Sequence, residues 1–149
     1  MDDINVLFEK IDKLLSVNGR IVIGVPNHDS LQRRFGGSRW LHLDVPRHLQ
    51  HFNIRSLELL VDRFDYSIKS VSMVSFEHDP FGWIQTIINR LSSTHNVLLL
   101  HLMRIRKNKL VLILNYFVSV LLLLPSLFLA VLSWMFKAGS NLEIIVGRK

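Results

Sequence analysis

Asp44, Arg47, His48 and His51 place an acid, a guanidinium and two imidazoles within Leu43-Asp44-Val45-Pro46-Arg47-His48-Leu49-Gln50-His51-Phe52, with His42 immediately ahead. An imidazole titrates near neutrality, so His48 and His51 are the catalytic candidates, able to take a proton from an acceptor hydroxyl. Arg47 suits a carboxylate or phosphate on that acceptor, because its planar fork donates two parallel hydrogen bonds. Asp44 joins it as a substrate-binding candidate. Two other readings stand beside this one. His42, Asp44, His48 and His51 are residue types that hold zinc or a non-haem metal, but their spacing matches no closed motif and no metal ligand is assigned. Alternatively, Pro46 sets a turn, Asp44 pairs with Arg47, and the polar side chains only bond loop backbone.

The elements on either side give this stretch its place. Arg20-Ile21-Val22-Ile23-Gly24-Val25 is apolar on both faces, which predicts a central parallel strand covered on both sides, ending in Pro26-Asn27. Open α/β sheets bind ligands just past the carboxyl ends of their strands. Upstream, Ile4, Leu7, Phe8, Ile11, Leu14 and Leu15 recur at helical spacing and predict a helix over 3–16, stopped by Asn18-Gly19. Residues 27–37 are polar and Gly-containing, as a loop would be. Asn53 or Ser56 can cap a helix carrying Leu57, Leu59, Leu60, Val61 and Phe64. Residues 66–74 alternate with the period of a half-buried strand, and 141–147 return to strand character.

A chain of 149 residues can bury one sizeable core. With no cysteine it has no disulfide, thiolate ligand or Cys nucleophile, which fits a reducing compartment. Residues 1–79 carry 10 Lys+Arg against 11 Asp+Glu, whereas 80–149 carry 8 against the single acid Glu143. A nucleic-acid surface would interleave such cations with polar or aromatic residues on a folded face. Here Arg104, Arg106, Lys107 and Lys109 lead into residues 110–136, which hold no charge at all and are long enough to span a bilayer. The expected partner is therefore membrane lipid and not nucleic acid. Trp83, Ile84, Ile87, Ile88 and Leu91 form an apolar stripe whose usual fate is the core, but beside this run it is expected to be an interfacial helix; a self-associating hydrophobic lid is the alternative. Strands at 68–74 and 142–146 can share a sheet only from one side of a membrane. The apolar run is thus expected to enter and return as a shallow hairpin broken at Pro125-Ser126. Met1-Asp2-Asp3 lacks the basic segment and apolar run of a cleavable signal, so the expected location is the cytoplasmic face of the cell membrane.

Taken in order, several features resemble the C-terminal half of class I S-adenosylmethionine-dependent methyltransferases over residues 4–83 and the terminal strand. They are the helix and Gly turn, the strand ending Val25-Pro26-Asn27, the motif Pro46-Arg47-His48-Leu49-Gln50-His51-Phe52, the Ser56-Leu57 helix, the alternating strand and Asp79-Pro80-Phe81-Gly82-Trp83. The resemblance implies an α/β fold made of the C-terminal part of a Rossmann-like sheet, its strands 5, 6 and 7, with a hydrophobic helical insertion. Residues 1–80 would be the methyltransferase-like part, 81–137 the membrane-associating insertion and 138–149 the returning strand. It further implies methyl transfer from S-adenosylmethionine to a hydroxyl-type acceptor, a small molecule, a glycan or a lipid-linked group, in a complete enzyme. The family's Gly-rich turn and ribose-binding acid have no counterpart, since Gly36 and Gly37 follow no strand. No cofactor-binding residue is assigned. The expectation is a truncated protein, inactive alone, whose partner is a separate N-terminal cofactor-binding half. The rival expectation is a non-enzymatic membrane-anchoring or interaction module.

Overall fold

The computed structural model describes residues 4–44, 48, 50–92, 95–103, 105 and 109–149. It shows a mixed α/β protein with a three-stranded antiparallel sheet and one long apolar helix. The elements in order are α1 (Ile4–Leu14), β1 (Arg20–Pro26), α2 (Leu31–Gly36), 3-10 turns at Gly37–Arg39 and Leu41–Leu43, α3 (Ile54–Asp62), β2 (Tyr66–Ser72), α4 (His78–Leu91), α5 (Val97–Leu102), α6 (Lys109–Met135) and β3 (Asn141–Arg148).

β3 lies in the middle of the sheet, antiparallel to both neighbours, from Arg20↔Gly147 to Pro26↔Asn141 on one side and Tyr66↔Arg148 to Ser72↔Glu143 on the other. β1 and β2 therefore run in the same direction without touching. Leu142, Ile144 and Val146 alternate along β3 and point to one face, where they meet Phe8 of α1 and Leu57 and Val61 of α3. This core is a sheet covered on one side by two amphipathic helices, with period-2 burial meeting period-3.6 burial. Asn53 starts α3 through a reciprocal cap: its side chain accepts from the Ser56 N–H at 2.9 Å while the Ser56 hydroxyl accepts from the Asn53 N–H at 2.9 Å. Asn53→Ala should lower the unfolding free energy by about 1 kcal/mol in a urea titration, and Asn53→Asp should not. Equal stability of the two variants would show that the cap contributes nothing.

The sequence expectation for β1 is corrected here. β1 is not a central strand covered on both sides. It is the edge of the sheet, paired antiparallel, with Val22 63% exposed on the face opposite the core. Residues 27–37 are likewise not all loop, because Ser30 caps α2 by accepting from the Arg33 N–H at 3.1 Å. Most of the stripe on α4 is core: Trp83, Ile84 and Ile88 are buried, with Leu98, Val118 and Leu122 packed against the two isoleucines, whereas Ile87 is half-buried and Leu91 is exposed.

The expected break at Pro125 does not occur. α6 continues through Pro125 as one helix of 27 residues, about 40 Å at 1.5 Å per residue. Ser126 donates its hydroxyl to the Leu123 carbonyl at 2.8 Å beside the proline. No break is needed to bring the chain home, because α4 runs out from the sheet and α6 runs back along it to β3. Within α6, Leu112–Met135 is long and apolar enough to cross a membrane.

Candidate functional site

The loop that follows the 3-10 turns closes against the carboxyl end of β1. Asn27, just past β1, forms a parallel bridge with Phe52, and the His28 N–H donates to the Phe52 carbonyl at 2.8 Å. Asn27 is itself pinned: its N–H donates to the Ser140 carbonyl at 2.8 Å, and its Nδ2 to the Gly139 carbonyl at 2.9 Å. The histidine-bearing segment is thereby held at the carboxyl end of β1.

Trp40 is the hub of the site. It is 2% exposed, and its indole N–H donates to Gln32 Oε1 at 3.0 Å. Its ring has three imidazoles around it, with centroids at 5.3 Å for His42, 6.3 Å for His28 and 6.4 Å for His51. His28 and His51 are 5.7 Å apart. His48 joins from the loop, its Nδ1 placed 2.9 Å from the His42 carbonyl, and His51 Nε2 is 3.3 Å from the Leu43 carbonyl. A carbonyl can only accept, so His48 must carry its proton on Nδ1 and His51 on Nε2 when these bonds form. In the neutral rings the lone pairs are then on His48 Nε2 and His51 Nδ1, which are the atoms that could accept a proton from a bound hydroxyl.

Burial, and then the neighbouring His48 and His78, lower the pKa of His42 from 6.5 to about 4, so it is neutral at pH 7. Its Nε2 is buried with no hydrogen-bond partner among the described residues. Asp44 sits at φ 25° and ψ 48°, a left-handed conformation unusual for a residue with a Cβ, and its carbonyl accepts from the His48 N–H at 3.2 Å. It lines a cavity of about 320 Å³ with Ser38, Trp40, Leu43, His95, Asn96 and Leu100, reaching from the loop to α5.

No family model, curated protein or solved structure matches the chain.

The fold thus brings His48, His51 and Asp44 into one neighbourhood, whereas Arg47 lies outside the described residues. Among the described residues, no group of three His, Cys, Asp or Glu side chains converges as metal ligands do. Sequence reasoning passed over His28 and Trp40. His28 was legible, since it follows Pro26-Asn27 directly at a strand end. Trp40 was not, because its partners Gln32, His28 and His51 are joined to it only by the fold.

Proposed function

We propose that this chain is the acceptor-bearing C-terminal part of a membrane-associated class I methyltransferase that uses S-adenosylmethionine, completed by a separate cofactor-binding half. The observation that carries the reading is the pair of imidazoles at the carboxyl end of β1, each with one ring nitrogen within hydrogen-bond distance of a loop carbonyl, so that in the neutral ring the other nitrogen is the proton acceptor. Methyl transfer relies mainly on aligning nucleophile, methyl carbon and sulfonium. What the acceptor side adds is a base for the hydroxyl proton, and His48 and His51 are placed to supply it.

The edge of the sheet supports the need for a second half. The interior of β1, Ile21 to Val25, is apolar and carries none of the Lys, Pro or bulge that commonly blunt an exposed edge. Beside it an apolar groove of about 540 Å³ runs between α1, β1 and α3. A strand added along β1, with a helix in this groove, would extend the sheet. The rival reading, a membrane-anchoring module without catalysis, is favoured by the missing Gly-rich turn.

Calorimetric titration of the purified chain with S-adenosylmethionine should show negligible binding. Micromolar affinity would overturn the division into halves. In the complete enzyme, His48→Ala and His51→Ala should each lower kcat by about a hundredfold, with cofactor affinity changed less than about twofold. Unchanged turnover in both would leave the loop a purely structural role.

A further inference from the structure

α6 is built inside out for a helix in water. The side it turns toward the protein carries its polar and small residues: Asn115, Ser126, Ala130 and Ser133 are buried, and Ser119 is half-buried. Ser133 accepts from the Trp83 indole N–H of α4 at 3.2 Å. The outward side is hydrocarbon, with Ile113, Phe117, Val120, Leu124, Phe128 and Val131 all exposed. A helix against water does the reverse. Small and polar residues toward a neighbouring helix, with apolar residues outward, is the arrangement used where the surroundings are lipid.

The orientation of that face follows from what lies behind α4. Along its whole length α4 is clamped on the side away from α6 by α2 and the two 3-10 turns. Gln32 Nε2 donates to the Asp79 carbonyl at 3.4 Å at one end, the Leu41 N–H donates to Thr86 Oγ1 at 3.2 Å in the middle, and Arg39 Nη1 donates to the Ser92 carbonyl at 3.1 Å at the other end. Arg90 reaches across to the Phe35 carbonyl at 2.5 Å. If α6 stood along the membrane normal, α4 and this polar layer would stand with it. Arg39 and Arg90 would then sink by the length of α4, about 21 Å, into hydrocarbon that rejects such charges.

We propose that α6 lies in the plane of an anionic phospholipid bilayer, its outward face buried among the acyl chains of one leaflet without crossing. Exposed Lys137 follows the helix, and Arg104, Arg106, Lys107 and Lys109 lie in sequence at its start. Cations at both ends suit anionic headgroups along a helix lying flat. The inference rests on the membrane reading of α6 and is independent of methyl transfer.

The chain has no cysteine, so single cysteines at Ile113, Val120 and Val131, with Val22 as control, can carry a fluorophore on the full-length protein. Vesicles of equal phosphatidylcholine and phosphatidylglycerol would bear quenchers at shallow or deep acyl positions. In-plane docking predicts the same depth at the three α6 positions and no quenching at Val22. A depth that peaks at Val120 and falls toward Ile113 and Val131 would mean a crossing helix, and would overturn the in-plane pose alone. No quenching at any α6 position would overturn membrane docking as well, and a second copy on this face would then appear as a dimer in sedimentation. As a second readout, the double variant Val120→Asp with Leu124→Asp should lower vesicle binding at least about tenfold while leaving the sheet's circular dichroism unchanged. Binding that survives both changes would overturn the assignment of this face.

Discussion

Asp79→Ala is expected to destabilise the protein more than any other single change at the junction of helices and sheet, by on the order of 3–5 kcal/mol. Asp79 is fully buried in the first turn of α4, where the helix dipole favours a carboxylate. One oxygen accepts from the Ser140 N–H at 3.0 Å and from the Ser140 hydroxyl; the other accepts from the Trp134 indole N–H. One side chain thus ties the start of α4, the end of α6 and the approach to β3. Alanine would strand the two donors of buried Ser140 and that of half-buried Trp134, and each stranded buried donor costs about 1–3 kcal/mol. There is little room to repair the junction, since a Cβ on Gly139 would fall 1.8 Å from the Met73 carbonyl oxygen. Asp79→Asn keeps one acceptor but turns an amino group toward a donor, so an intermediate loss is expected. Urea unfolding of the three proteins in one detergent measures this. A loss below about 1 kcal/mol for the alanine variant would mean that the junction is held by something else. Because Gly139 and Ser140 also hold Asn27 at the end of β1, the same variant should loosen the histidine loop.

Local chemistry was legible in the sequence where a short segment decides its own structure. Asn53 and Ser56 stand three apart ahead of an apolar helical pattern, and they form the reciprocal cap that begins α3. β3 forms where strand character returns, and β2 forms over Tyr66–Ser72, but its burial does not alternate, because the register shifts between Ile68 and Ser70 and Val71 is left exposed. The histidine loop was placed at a strand end because the strand before it is continuous and apolar. What could not be read is what depends on neighbours. An apolar run such as Ile21 to Val25 predicts cover on both faces, but whether cover exists is decided outside the run, and among the described residues Val22 is left exposed. α2, with six residues, is too short to show a period. Pro125 suggested a break because proline removes one hydrogen bond from a helix, yet one lost bond does not outweigh the packing of α6 along α4. The polar stripe of Asn115, Ser119, Ser126 and Ser133 was present at helical spacing, although only the position of α4 shows that it faces inward. The same holds for Asp79, whose partners Trp134 and Ser140 lie 55 and 61 residues away.

Acid should destabilise the protein through His42 between about pH 6.5 and pH 4. The native ring resists protonation down to about pH 4, whereas in the unfolded chain it takes a proton near 6.5. Above 6.5 neither state is protonated there and His42 has no pH effect. As pH falls through the window the unfolded state binds the extra proton, so stability declines with it. Below about 4 both states are charged and the decline from this group ends. At 1.36 kcal/mol per unit, the gap amounts to about 3 kcal/mol across the window. Carboxylates also titrate toward its lower end, so the quantity to measure is the difference between the parent protein and His42→Phe in urea unfolding at pH 7 and pH 4.5. The variant should lose less stability on acidification, and equal losses would show that His42 is protonated in the native protein as readily as in the unfolded chain. The effect reaches the candidate site, because the His42 carbonyl accepts from His48 Nδ1 and fixes which His48 nitrogen keeps its lone pair. Acid that drives His42 out of its buried place should therefore also release the contact between His48 Nδ1 and the His42 carbonyl.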